Sequence, residues 1–98
     1  MKFILEWDRT KAHSNLAKHK ISFEEAETVF DDPLLVTFPD ELHSEKEDRL
    51  ISIGISKHER LLVVVHVEKL ETRDSITIRI ISCRKATLSE RRRYEEGE

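Results

Sequence analysis

Three stretches of the chain, residues 50–55, 61–67 and 76–82, alternate with a period of two. Successive side chains of a strand point to opposite faces, so each stretch reads as a strand with one apolar row. Those rows are Ile51, Ile53 and Ile55, then Val63, Val65 and Val67, then Ile76, Ile78 and Ile80. The intervening residues 56–60 and 68–75 are short enough for antiparallel hairpins, and this limits the second half of the chain to a meander of neighbouring strands. The three rows are expected to bury together against helices supplied by the first half.

The first half carries the helix signals. Residues 3–7 alternate loosely and predict a short strand, after which Asp8 offers a carboxylate as an N-cap. The helix it opens runs to about residue 18, with Ala12 and Leu16 on one face. Ser22 and Glu25 form an S-x-x-E capping box at a second helix start, and Phe23, Ala26, Val29 and Phe30 follow at helical spacing. Asp31, Asp32 and Pro33 stop that helix, because the residue before proline avoids the helical region. A strand is expected over 34–38 and a polar loop over 39–48, with Glu41, Glu45 and Glu47 around His43. Thr87 and Glu90 make another capping box, so a last helix carries Arg91, Arg92, Arg93 and Tyr94. Helices and strands are segregated along the chain, which implies an α+β fold with helices packed on a mainly antiparallel sheet of four to five strands.

Length and composition set outer limits. Ninety-eight residues fit one domain, expected over 1–98. Hydrophobic and charged residues each make up 38%, with two Gly and two Pro, which is too apolar for a disordered tail and too polar for a membrane protein. The longest apolar run, 61–65, is far short of the ~20 residues that span a bilayer, and no signal-peptide region follows Lys2. Cys83 stands alone and needs no oxidising compartment, so the expected location is the cytoplasm.

The net charge of -3 hides an uneven distribution. Residues 1–20 carry +3, residues 21–48 carry -9 and residues 49–98 carry +3, with six basic groups against one acidic group within 76–93. Arg79, Arg84, Lys85, Arg91, Arg92 and Arg93 can hold RNA phosphates, since a guanidinium fork matches phosphate oxygens. The same stripe can meet an acidic protein or be a solvated face. Arg79 argues for more than solvation, because it lies inside a strand.

Several separated motifs, in order, resemble the BrnT toxin family. The chain opens with Glu6-Trp7-Asp8 and Lys11, then Asn15 and Lys18-His19, then Ile21 to Ala26 and Val29-Phe30-Asp31-Asp32-Pro33. Thr37-Phe38-Pro39-Asp40, Glu47-Asp48-Arg49, Ile53-Gly54 and Arg60 through His66 continue the match, which ends with Arg79 to Ser82, Arg84 to Thr87 and Glu90 to Glu95. The chain departs from the pattern mildly, with Lys20 where glycine is usual and Cys83 where a small residue is. The resemblance implies a type II toxin, an endoribonuclease of RelE-like fold. It further implies neutralisation by a BrnA-like antitoxin, with operator DNA reached only indirectly through that partner.

Cleaving RNA without a metal uses the 2'-hydroxyl as nucleophile, so a base, an acid and positive charge must be supplied. The candidates are His66, Arg79, Arg84 and Glu47 for catalysis, and Lys18, His19, Arg49, Arg60 and Arg91 for binding RNA. Each has a plainer reading. His66 can fill the second face of its strand, Arg79 and Arg84 can pair with the acidic middle segment, and Lys18 and His19 suit a helix C-terminus. Trp7 is expected as core or packing lid. The five histidines show no ligand spacing, and no P-loop, G-x-S-x-G or paired cysteine is present, so no cofactor is expected. The competing function is a non-catalytic co-repressor module that binds a DNA-binding antitoxin.

Overall fold

Pairing of the period-two segments dominates the architecture. The computed structural model describes residues 2–43 and 47–97. Five strands, β1 (Lys2–Trp7), β2 (Val36–Pro39), β3 (Arg49–Ile55), β4 (Leu61–Thr72) and β5 (Ser75–Lys85), form one sheet in the order β1-β5-β4-β3-β2. All neighbours are antiparallel except β1 and β5, which run parallel. The helices are α1 (Arg9–His19), α2 (Phe23–Glu27) and α3 (Leu88–Glu96), with a 3₁₀ turn at Thr28–Asp31 continuing α2. No helix among the described residues is long and apolar enough to cross a membrane.

The predicted caps form. Asp8 accepts from the Lys11 N–H, Ser22 from the Glu25 N–H, and Thr87 and Glu90 complete a reciprocal box at α3. The box at α2 is only half made, because the Glu25 side chain turns away from Ser22 to Arg60 and Ser56. β2 starts at Val36 rather than residue 34. Asp32 accepts from the Leu34 N–H and its carbonyl from the Leu35 N–H, which holds those two residues in a turn. The expected loop over 68–75 is mostly strand: β4 and β5 continue to a turn at Arg73 and Asp74, where polar residues pair in solvent and leave no apolar trace. Within 39–48, Pro39 ends β2 and Glu41–His43 form a 3₁₀ turn, while Glu45 lies outside the described residues.

Burial of the strand rows differs from expectation. Leu62, Val64, Ile80 and Cys83 pack with Ile21, Phe23, Ala26 and Val29 under α1 and α2. Ile53 and Val63 instead join Val36 and Leu61 on the other face, where Tyr94 of α3 covers them, and Ile55 is exposed. Helices on both faces make β4 apolar at both parities, so alternation alone could not assign a face. Trp7 is half-buried with its ring edge-on to Phe23. Gly54 admits no side chain: an added Cβ would lie 2.9 Å from Leu35 and 3.1 Å from the Val29 carbonyl.

One irregularity in β5 matters for the site. Val65 pairs with Ser82 but His66 with Ile80, so Ile81 is the extra residue of a β-bulge. Residues on either side of it exchange parity. Directly paired residues share a face, so Arg79, opposite Val67, and Arg84, opposite Val63, both point to the α3 side although their numbers differ in parity.

β1 ends at Trp7, opposite Ile80, and leaves that edge of β5 without a strand neighbour beyond this point. Asn15 closes that edge from α1. Its amide accepts from the Cys83 N–H at 3.0 Å and donates to the Cys83 carbonyl at 2.9 Å and the Ile21 carbonyl at 3.1 Å.

Candidate active site

The face that bears α3 is covered over only half its length. A helix of nine residues is about 14 Å long, and its apolar contacts are with the Val36, Ile53, Leu61 and Val63 cluster. Toward the β4–β5 turn the same face opens into a cleft of about 540 Å³ that no α3 residue lines. Across its floor, register places Glu6, Arg79 and Val67 in one row over three strands, and Arg49 of β3 extends that row past the cleft.

Arg79 donates to Glu47 Oε2 at 2.7 Å at the mouth of the cleft, and both side chains remain substantially exposed. Beside them the Thr77 hydroxyl donates to Glu71 Oε1 at 3.1 Å. Glu6, Asp48 and Lys69 also line the cleft. The site therefore offers several carboxylates around a strand arginine. Arg84 lies four residues further along β4, about 13 Å away at strand rise. Its guanidinium is held in a fork by both Glu90 oxygens at 2.7 and 2.8 Å.

His66 is not part of this cleft. It has no exposed surface and faces α1 and α2, with Nε2 bonded to Ser52 Oγ at 2.7 Å and its ring edge-on to Phe30 at 5.0 Å. Ser52 Oγ also meets Thr37 Oγ1 at 2.7 Å, while Nδ1 has no partner. Burial pulls the imidazole pKa down to about 4, so the ring is neutral near pH 7. A neutral imidazole shut into the core and separated from Arg79 by the sheet has no route to an RNA hydroxyl, which corrects the expectation of His66 as a direct acid or base.

The expected RNA-binding residues are dispersed. Arg60 grips Glu25 through Nε at 2.9 Å and through Nη2. The Glu25 carboxyl, nearly fully buried, is held below its ordinary pKa first by that bond to Arg60, with a further bond from Ser56. This is a structural pair linking α2 to the β3–β4 connection. Arg49 is half-buried on the cleft row, Arg91 is exposed on α3, and Lys18 and His19 stand at the end of α1 on the opposite side of the sheet. Among the described residues no group of three or more His, Cys, Asp or Glu is placed to hold a metal ion.

Glu71 and Thr77 were not anticipated, and Glu6 appeared only as a motif letter. Its meeting with Arg79 depends on a parallel pairing between the two ends of the chain, which periodicity does not reveal.

Comparison with known proteins places this geometry. The crystal structure of the Brucella abortus ribonuclease toxin BrnT superposes with a TM-score of 0.62 at 26% identity, covering 89% of this chain and 99% of that one. The architecture is thus that of the small α+β ribonuclease toxins. The family model described as the ribonuclease toxin BrnT of type II toxin-antitoxin systems matches residues 7–90, and the chain belongs to that family. Among curated proteins no match is found.

Proposed function

We propose that this protein is a metal-independent endoribonuclease toxin whose cleavage site is the open cleft. The observation that carries the reading is the exposed Arg79–Glu47 pair at 2.7 Å, on the part of the sheet face that α3 leaves bare. In this reading Glu47 takes the proton of a ribose 2'-hydroxyl as that oxygen attacks phosphorus. The P–O2' bond forms, the P–O5' bond breaks, and the leaving 5'-oxygen takes a proton from water at the open cleft mouth. Arg79 stabilises the charge that builds on the non-bridging oxygens, and Arg49 and Arg84 hold flanking phosphates. A type II toxin is kept in check by a protein antitoxin. We assign a BrnA-like partner, with operator DNA contacted through it alone and the cytoplasm as the place of action.

Incubating the purified protein with single-stranded RNA in EDTA tests the chemistry. Cleavage that persists and leaves 2',3'-cyclic phosphate ends is the expected result, and Arg79→Ala should lower the rate by about 10²- to 10³-fold. Cleavage abolished by EDTA, or unaffected in an Arg79→Ala, Glu47→Gln double variant, rejects this site. Absence of turnover together with tight antitoxin binding would favour the co-repressor alternative.

A further inference from the structure

A second feature lies on the opposite side of the sheet. Between α1 and the part of β5 that β1 leaves uncovered runs an open groove of about 330 Å³. Lys11, Lys18 and His19 line it together with Thr10 and Ser14 of α1 and with Ser82 at the edge of β5, and no acidic residue does. Among the described residues none of these six side chains has a hydrogen bond or ion pair. Three arginines elsewhere, Arg60, Arg79 and Arg84, are by contrast each paired with a glutamate.

The helix that forms the wall is itself out of balance. From Arg9 to His19 it has no acidic residue, and behind the N-cap carboxylate of Asp8 its first turn contains Arg9 and Lys11. The Asp8 carboxylate meets the dipole at that end, while the two first-turn cations oppose it. Functional surfaces are where such local conflicts concentrate.

We infer that this groove is a phosphate-binding track for the RNA backbone, outside the cleavage site. The inference rests on the ribonuclease reading above. Two ammonium groups and an imidazole suit phosphodiester oxygens, and the hydroxyls can donate to them, while no Phe, Tyr or Trp lines the groove. Its position supports a polymer over a small anion. Ser82 sits beside the bulge on the free edge of β5, where register puts it on the face that also displays Arg84 and Arg79, so the groove meets that face at the strand edge. A strand whose scissile bond lies at Arg79 can pass that edge and lay its neighbouring phosphates against α1. The groove thus sets affinity for long RNA rather than the chemistry of cleavage.

Binding of 4- and 16-nucleotide single-stranded RNA is the test, in wild type, in Lys11→Gln, Lys18→Gln, His19→Gln and in Arg79→Ala, with helix content checked by circular dichroism. Wild type should gain at least 10-fold in affinity from the longer RNA. The groove variant should lose that gain, and its log Kd against log salt slope should fall by about 1.4, the value for two phosphate contacts on a single strand. Arg79→Ala should keep the length gain. A groove variant that retains the gain overturns the inference, as does one that keeps RNA affinity while losing the antitoxin, which would make the groove a protein contact. Failure of the ribonuclease reading shows separately, as wild type that binds long RNA and never cleaves it.

Discussion

Glu90 receives both guanidinium prongs of Arg84 and also the Thr87 N–H at 2.9 Å, so one carboxylate ties the end of β5 to the start of α3. The bond from Arg84 is the largest cause that holds its pKa down to about 2. A carboxyl depressed in the folded state lends stability that is complete above its unfolded pKa and is lost as pH falls through the folded value. Glu90→Ala should therefore lower stability at pH 7 by about 1–2 kcal/mol, through loss of the cap and release of Arg84. The deficit should shrink between pH 4.5 and about 2, where wild type loses the same contribution. Urea unfolding at pH 7, 4 and 2.5 checks both; a deficit independent of pH would contradict the linkage.

His66 makes a different acid signature. Its imidazole is neutral when folded, with a pKa near 4 against 6.5 ordinarily, so the unfolded chain binds a proton that the native state refuses. Stability is complete above pH 6.5 and declines toward pH 4, by an amount on the order of 3 kcal/mol. His66→Leu should flatten that slope in melting experiments. Proton NMR offers an independent reading, since a His66 ring resonance that titrates near 6.5 would defeat the argument.

Asn15 serves as a stand-in strand. Asn15→Ala would leave the Cys83 N–H and carbonyl and the Ile21 carbonyl without their bonds, at a cost of about 3 kcal/mol. Asn15→Asp keeps the acceptor but points a charge at two carbonyls, and should do no better. Denaturant midpoints for the pair measure this; an Asp variant as stable as wild type would show that the donor bonds contribute little.

Lys20 occupies the left-handed C-cap of α1 at φ 60°, a conformation that glycine adopts without strain. Lys20→Gly should stabilise the protein by about 1 kcal/mol, which raises the Tm by roughly 4–8 °C for a chain of this size. The exposed Lys20 Nζ bond to the Ala17 carbonyl would be given up with little loss. A fall in Tm would mean that this bond outweighs the backbone strain.

What could be read in advance follows from how local each signal is. Asp8, Ser22 and Thr87 cap helices through bonds that close within three residues, and they stand out in the sequence for that reason. The period-two segments likewise declare strands. Which helix each face meets depends on a sheet covered on both sides, and neither Val63 nor Leu62 states its assignment locally. His66 was seen to lie on the second face of β4, yet its confinement comes from Phe30 and Ser52, which only the folded topology brings to it. Arg79 was legible as an unusual strand arginine. Pairing of Arg79 with the acidic middle segment was legible too, and Glu47 supplies it, but the approach of Glu6 was not, because it comes from the far end of the chain.

The extra residue at Ile81 has a consequence for how this strand tolerates length changes. Removing it would restore strict one-to-one pairing and leave Ser82, Cys83 and Arg84 opposite Val65, Val64 and Val63, on the faces they already occupy. Cys83, whose burial pushes its thiol up to about 12 and keeps it unreactive, would stay in the core, and the Arg84 guanidinium would stay on the α3 side. A one-residue deletion elsewhere in a strand sends every following side chain to the other face, whereas at this position it is absorbed, so the strand can shorten here without exchanging a thiol and a cation between oil and water.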